Sequence, residues 1–339
     1  MYTVNISGIS RSESMNLKGK KILVTGAAGF IGSHLAEELV KKGAKVRALV
    51  RYNSKNNWGW LETSKFLDEI EIYMGDLRDY DSVKDAMKDV EIVFHLGALI
   101  GIPYSYISPL AYIRTNVEGT YNVLQSARDN VQRVVVTSTS EVYGTAQYTP
   151  IDEKHPLHPQ SPYAATKVSA DQLALSFYRS FDLPVSIIRP FNTYGPRQSA
   201  RAIIPTIISQ ALTGDILKLG SLEPVRDLTY VLDTVSGFIE VGLSDTAVGQ
   251  VINIGANEVV SIGDLVKIVS KLLDKELLVE TDPKRVRPKK SEVMKLVCDN
   301  TKALENGWKP RYSLKDGLLE TINWINDNIE CFKPYIYNV

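Results

Sequence analysis

The sequence predicts an α/β protein built on a doubly wound parallel sheet, with a smaller mixed α/β lobe attached. Three observations carry that reading. From Lys21 onward, short β-branched runs alternate with amphipathic stretches. The runs are apolar at nearly every position, as strands are when helices cover both faces of a parallel sheet. A glycine-rich turn joins the first run to the first amphipathic stretch. A chain of 339 residues suits two packed lobes better than one small core.

The elements follow in order. Residues 1–16 are polar and serine-rich and lack the apolar middle of a signal peptide, so 1–19 are expected to form a loose tail. Strands are predicted at 22–25, 46–50, 70–74, 92–96, 134–138 and 185–189. Helices are predicted at 31–42, 82–88, 111–129 and 163–180. After Pro190 the alternation stops, and turns, short strands and isolated helices follow, with one more strand-like run at 250–254. The expected division places 20–192 plus about 227–258 in a Rossmann-type lobe and 193–226 plus 259–339 in a second, substrate-binding lobe. Internal repeats and low-complexity linkers are absent from the sequence.

Composition excludes several classes. Acidic and basic residues balance at 39 each, so bulk charge points to neither nucleic acid nor membrane. Cys298 and Cys331 make no disulfide framework, which fits a cytoplasmic protein. The four histidines, His34, His95, His155 and His158, have no metal-ligand spacing. No apolar run approaches the roughly 20 residues needed to span a bilayer.

Gly26-Ala27-Ala28-Gly29-Phe30-Ile31-Gly32 follows the first strand and opens the first helix. Small residues here let the backbone approach a pyrophosphate, while the helix N-terminus offers free N–H groups and a positive dipole. A glycine pattern alone is equally a tight turn; its place at the start of a βαβ unit makes it a dinucleotide site. An NAD site usually ends its second strand on an acid. Here the strand ends Ala48-Leu49-Val50-Arg51. Arg51 suits a 2′-phosphate, so the expected cofactor is NADP, with NAD the alternative. A solvated surface arginine is the competing reading. Asp76 and Leu77, after the third strand, fit contacts to the adenosine end, with a helix cap the rival for Asp76.

Tyr163-Ala164-Ala165-Thr166-Lys167 sets a phenol and an ammonium four residues apart on one helical face. The ammonium is expected to lower the phenol pKa, so that a phenolate takes a proton from an alcohol while hydride leaves carbon. Upstream, Ser138-Thr139-Ser140-Glu141-Val142-Tyr143-Gly144 lies at the carboxyl end of the fifth strand, where ligands bind in open parallel sheets. Thr139 can hydrogen-bond the hydroxyl being oxidised. Glu141 is a carboxylate beside a nucleotide site, or else a surface or capping residue.

With these motifs and Arg189-Pro190-Phe191-Asn192-Thr193-Tyr194-Gly195-Pro196-Arg197, the chain resembles the extended short-chain dehydrogenase/reductase family from about Lys20 to the last helix. A Thr-X-Glu triplet ahead of Val-Tyr-Gly is similar to the nucleotide-sugar 4,6-dehydratases. Tyr52-Asn53-Ser54, Trp58-Gly59-Trp60 and the run from Arg287 to Val293 look like the bacterial branch acting on UDP- or GDP-linked N-acetylglucosamine, which feeds nonulosonic acids. The resemblance implies that Tyr163 and Lys167 carry out C4 oxidation and that Glu141 removes the C5 proton. Water then leaves from C6, and the hydride returns to C6, or to C4 to give a 5,6-ene. It also implies that Asn192, Arg226 and Arg287 hold the sugar diphosphate, that Asn116 bends its helix, and that the chain dimerises through helices 111–129 and 163–180. One departure stands out. Other members have Asp between Thr and Glu as the acid for the departing hydroxyl, and here it is Ser140, as in the GDP-mannose dehydratase branch. A 4-epimerase, which does not need Glu141, is the alternative enzyme. A non-catalytic NADP sensor is the alternative of another class, and the intact Tyr163–Lys167 pair argues against it. The basic run 284–290 also reads as a solvated loop.

Overall fold

The computed structural model describes residues 15–286, 288, 290–334 and 336. Seven parallel strands form the main sheet: β1 (Lys21–Thr25), β2 (Lys45–Val50), β3 (Ile70–Met74), β4 (Ile92–His95), β5 (Arg133–Thr137), β6 (Val185–Pro190) and β10 (Val251–Ile254). Their spatial order is β10-β6-β5-β4-β1-β2-β3. The order reverses direction at β1, which makes a crevice at the carboxyl edge between β1 and β4. The parallel doubly wound sheet is thus the one the apolar runs predict.

Alternate residues explain why the strands have few polar positions. On β1, Ile22 and Val24 enter the core shared with helix α1 (Phe30–Lys41), whereas Leu23 enters the core on the opposite face. Successive strand side chains point to opposite faces, and here both faces are covered. The first face also packs α8 (Val231–Glu240) through Val235 and Phe238. The second packs α2 (Tyr80–Ala86), α5 (Gly119–Ala127) and α6 (Pro162–Phe181) through Val83, Val123, Leu124, Ala174 and Phe177. Each such side chain contributes about 1.5–3 kcal/mol when fully buried.

The second lobe holds a four-stranded sheet, in which β9 (Val225–Tyr230) pairs with β7 (Asn192–Tyr194), β11 (Val259–Ser261) and β13 (Lys295–Leu296). A two-stranded sheet joins β8 (Ile216–Leu219) to β12 (Leu278–Thr281). Helices α7 (Ile203–Thr213), α9 (Ile262–Leu273), α10 (Thr301–Glu305) and α11 (Leu314–Asp327) complete it. Its core runs into that of the first lobe, since Ile207, Leu217, Leu265 and Leu318 belong to the same cluster as Ile22 and Leu35. Leu17 is also buried in that cluster, so the chain is packed from just ahead of β1. Residues 1–14 of the expected tail lie outside the described residues.

The continuous helix expected at 111–129 is not continuous. Two short helices, α3 (Ile102–Ile107) and α4 (Pro109–Tyr112), lead into a π segment at Ile113–Glu118 and then α5. The cause is Asn116, which is buried and turned away from the helix. Its Oδ1 accepts from Leu99 N at 2.8 Å, and its Nδ2 donates to Leu99 O at 2.9 Å and Thr166 Oγ1 at 3.1 Å.

Candidate active site

The glycine turn is built for close approach. Gly26 has φ +70°, and a Cβ there would lie 2.8 Å from Gly97 N. A Cβ at Gly32 would overlap the Gly26 carbonyl, which locks the helix start against β1. Gly29 is the N-cap of α1 and makes no side-chain cap, and the first turn carries no acid. The early N–H groups of Phe30 and Ile31 therefore have no side-chain acceptor, a cradle that fits a pyrophosphate. Leu77 packs against Gly97 and Gly119 and offers its carbonyl to Asn122 Nδ2 at 2.8 Å, lining the next strand end.

Arg51 is exposed at the end of β2, and its charge helps hold the Asp76 carboxyl below its ordinary range. The larger cause is Arg78, whose Nη2 lies 2.5 Å from Asp76 Oδ2. Asp76 is not the cap of α2, because Asp79 takes that role by accepting from Asp81 N and Ser82 N.

Helix α6 extends the predicted helix at 163–180 by one residue at each end. Ser161 caps it by accepting from Ala164 N at 3.1 Å, Pro162 occupies the first turn, and Asp182 ends it in the left-handed region. Tyr163 and Lys167 are both buried. Lys167 Nζ donates to the Thr137 carbonyl at the end of β5. Burial draws the ammonium down to about 8, against the pull of Asp171. The expected lowering of the Tyr163 phenol is not what the protein alone supplies. Burial pushes it well up, and Glu141 pushes the same way, while a hydrogen bond from Thr139 opposes both. In a desolvated site, loss of hydration outweighs a neighbouring cation already engaged by a carbonyl.

Thr139, Ser140 and Glu141 form the mouth of this pocket. Thr139 caps a short turn, Ser140–Tyr143, by accepting from Glu141 N at 3.2 Å. Gly144 closes it at φ +65°, where a Cβ would overlap the His158 carbonyl. Ser140 is buried and Glu141 half-buried, close enough to Tyr163 to act on its phenol. The remaining wall is aromatic: Tyr112 meets Tyr163 edge-on at 6.3 Å, and its hydroxyl donates to Gly101 O at 2.5 Å. His95 is structural. Its ring bridges Thr25 at 2.8 Å and Thr120 at 3.0 Å, and burial draws its pKa down to about 3.

Asn192 opens β7 with Oδ1 buried and, among the described residues, without a hydrogen-bond partner. Thr137 Oγ1 at the end of β5 is in the same state. Two orphaned polar atoms at the strand ends fit a site whose ligand supplies the partners. Arg226 is buried on β9, with Nη2 3.6 Å from Glu292 Oε1. Arg287 lies outside the described residues.

Sequence reasoning missed one group. Asp171, the next residue along the Tyr163–Lys167 face of α6, is fully buried and paired with Arg189 at 2.8 Å. An acid four residues after Lys167, on the same helical face as Tyr163 and Lys167, was the available signal.

A profile of the family described as GDP-mannose 4,6 dehydratase matches residues 23–321. A UDP-N-acetyl-alpha-D-glucosaminuronate decarboxylase from Bacillus cytotoxicus is 34% identical over 91% of this chain and 98% of its own length. Among solved structures, a UDP-N-acetylglucosamine 4-epimerase from Methanobrevibacter ruminantium, in complex with UDP-N-acetylmuramic acid, superposes with a TM-score of 0.83. It is 30% identical and covers 92% of this chain and 99% of that one. A dTDP-glucose 4,6-dehydratase from Bacillus anthracis in complex with NAD has a TM-score of 0.81, at 29% identity, over 93% and 99% of the two chains.

Proposed function

Because the chain belongs to the GDP-mannose 4,6 dehydratase family, enzymes of the extended short-chain dehydrogenase/reductase type that act on nucleotide sugars, we propose that it is a nucleotide-sugar 4,6-dehydratase using UDP-N-acetylglucosamine. One observation carries the reading: a half-buried carboxylate, Glu141, stands beside the phenol of Tyr163. An epimerase has no use for a second base there, whereas elimination across C5 and C6 requires one.

A nicotinamide dinucleotide, when bound, supplies the acceptor for the C4 hydride and its later donor. The residues divide the rest. Tyr163 takes the proton from the C4 hydroxyl, with Thr139 hydrogen-bonded to the phenol and Lys167 supplying positive charge. Glu141 takes the C5 proton, made acidic by the adjacent ketone. Ser140 holds the proton path toward the C6 oxygen, either directly or through water. Asn192, Arg226 and Arg287 are assigned to the diphosphate, and Gly26, Gly29, Phe30, Ile31 and Gly32 to the dinucleotide. NADP is our choice over NAD, supported by Arg51 at the end of β2 and by Asp76 being engaged with Arg78. For the first lobe we propose 20–192 plus about 227–258, supported by α8 packing on the main sheet and β10 pairing with β6, with Asn192 and residues 227–230 lying in strands of the second lobe's sheet. We also propose a homodimer working in the cytoplasm, in a nonulosonic acid pathway.

Proton NMR of UDP-N-acetylglucosamine incubated with the enzyme in heavy water tests the reading. A new C6 methyl with deuterium at C5 is the expected result. Two vinyl signals at C6 would instead mean that the hydride returns to C4, and an inverted C4 would overturn dehydration in favour of epimerisation. A decarboxylase is the second reading, favoured by the Bacillus cytotoxicus relative and by Ser140, which leaves no Asp acid for a departing hydroxyl. Carbon dioxide release from UDP-N-acetylglucosaminuronate would select it.

A further inference from the structure

Behind the catalytic pair lies a polar network that the proposed reaction does not itself use. Tyr163, Lys167 and Asp171 succeed one another at four-residue intervals along α6, so they share one face. Asp171 is wholly buried. Its Oδ2 accepts from Ser138 Oγ at 2.7 Å, Arg189 Nη2 at 2.8 Å and Arg189 Nε at 3.1 Å. Its Oδ1 is buried without a partner among the described residues. Arg189 is itself held, its Nη1 donating to Tyr143 Oη at 3.0 Å, and Tyr143 Oη donating to Asn253 Oδ1 at 2.7 Å. The carboxylate is therefore fixed by residues from β6, β10 and the segment just after β5. Its other oxygen stays buried, one helical turn from Lys167.

We infer that Asp171 is a positioning residue: a rigid buried counter-charge that keeps the Lys167 side chain an ammonium beneath Tyr163. The charges around Lys167 support this. From β4 it faces His95, held neutral between two threonines. From β5 it meets the Thr137 carbonyl. On its own helix it has Tyr163 and Asp171, with Arg189 beyond Asp171 on β6 and Glu141 beyond Tyr163. Burial strips the ammonium of water, and the attraction of Asp171 is what opposes that loss. Unlike a flexible surface carboxylate, Asp171 is held by three donors and cannot follow the amine, so it acts through field and not through contact. The Arg189 guanidinium holds the carboxylate in place through two hydrogen bonds to Oδ2.

The inference rests on Tyr163 and Lys167 being the redox pair, and its test does not need the substrate to be known. In the full chain labelled with carbon-13 lysine, the ε-carbon resonance of Lys167, assigned through Lys167→Arg, reports its titration. Asp171→Asn is expected to lower the midpoint by about one pH unit or more, and Asp171→Glu to restore part of the shift. With UDP-N-acetylglucosamine as substrate, the high-pH fall of turnover should move down with it. If Asp171→Asn does not fold, Asp171→Asn with Arg189→Met removes both buried charges together and should lower the midpoint too. Ser138→Ala, the mildest change, removes one donor from the carboxylate and should raise it. A Lys167 midpoint that stays put in the folded variants would overturn the proposal. A midpoint that moves in an enzyme inert toward UDP-N-acetylglucosamine would overturn only the substrate reading.

Discussion

A phenol that burial pushes up is, on its own, a poor base at neutral pH, so the role given to Tyr163 depends on charges that arrive with its partners. Lys167 is one, and a positively charged nicotinamide is another. This makes the two proton-handling residues separable. Tyr163→Phe should bind dinucleotide normally yet lose turnover by a factor on the order of 10² or more, because it removes the base assigned to the C4 hydroxyl proton. Glu141→Gln should still oxidise C4 but stop there, since an amide is no base, and rapid-mixing absorbance should show reduced cofactor accumulating with UDP-N-acetylglucosamine. Undiminished dehydration in the Gln variant would remove Glu141 from the mechanism. At the other end of the dinucleotide, Arg51 is exposed and close enough to influence Asp76. A charge-assisted contact to a 2′-phosphate is worth about 1.5–3 kcal/mol, so Arg51→Ala should weaken NADP binding by that amount and leave NAD binding unchanged. Calorimetry giving equal affinity of the native enzyme for both dinucleotides would refute the preference for NADP.

Elements were legible where a local rule and burial agree. Strands β1, β4, β5 and β6 announce themselves because both faces are covered, leaving few polar positions. Helix α6 shows its Ser-Pro start, and the glycine turn shows its purpose through its neighbours. The break at Ile113–Glu118 was legible only through the family resemblance, which implies a helix-bending Asn116; periodicity hid it, because its cause is tertiary: Asn116 reaches Leu99, 17 residues away, and Thr166, 50 away. The Asp171–Arg189 pair was hidden similarly, its partners lying on a helix and a strand that meet only after folding. The segment between β2 and β3 is a third case. It carries Trp58-Gly59-Trp60, whose aromatics read as motif residues with no stated task. In the fold, Trp60 N donates to Ala28 O at 3.1 Å, and its ring meets Trp324 of α11 at 5.2 Å. The segment thus straps the glycine turn to the second lobe. Gly59 is the pivot, at φ +60° with the Ala28 carbonyl where a Cβ would stand. Gly59→Ala should lift the strap, combining a left-handed alanine (about 1–2 kcal/mol) with that clash. Dinucleotide affinity is expected to fall by on the order of tenfold, read by tryptophan fluorescence titration. Unchanged affinity would mean that the turn holds its shape unaided.

At the scale of the whole molecule, a chain with balanced charge and a well-filled core still leaves apolar side chains outside. Ile107 is 68% exposed, Leu110 56% and Ile113 50%. They follow one another from α3 through α4 into the π segment, and Tyr121 of α5 is exposed nearby in sequence. Tyr121 also meets Phe177 of α6 at 6.2 Å, and Phe177 meets the half-exposed Phe181 at 5.0 Å, which carries the apolar character across to α6. Single exposed apolar residues need no explanation, but a run of them on neighbouring helices does. The homodimer proposed above would cover it, because a two-fold axis lets the same patch cover itself. Each large aliphatic side chain covered this way contributes about 1.5–3 kcal/mol, so two of them are a sizeable share of a micromolar association. Leu110→Lys with Ile113→Lys replaces that gain by four buried like charges across the axis, two from each copy. The variant should sediment as a monomer while the native chain sediments as a dimer at micromolar concentration. Its dinucleotide affinity should persist, because both substituted side chains are exposed and neither belongs to the glycine turn Gly26–Gly32. A native chain that sediments as a monomer would remove the dimer. A variant that stays dimeric would place the interface on another face.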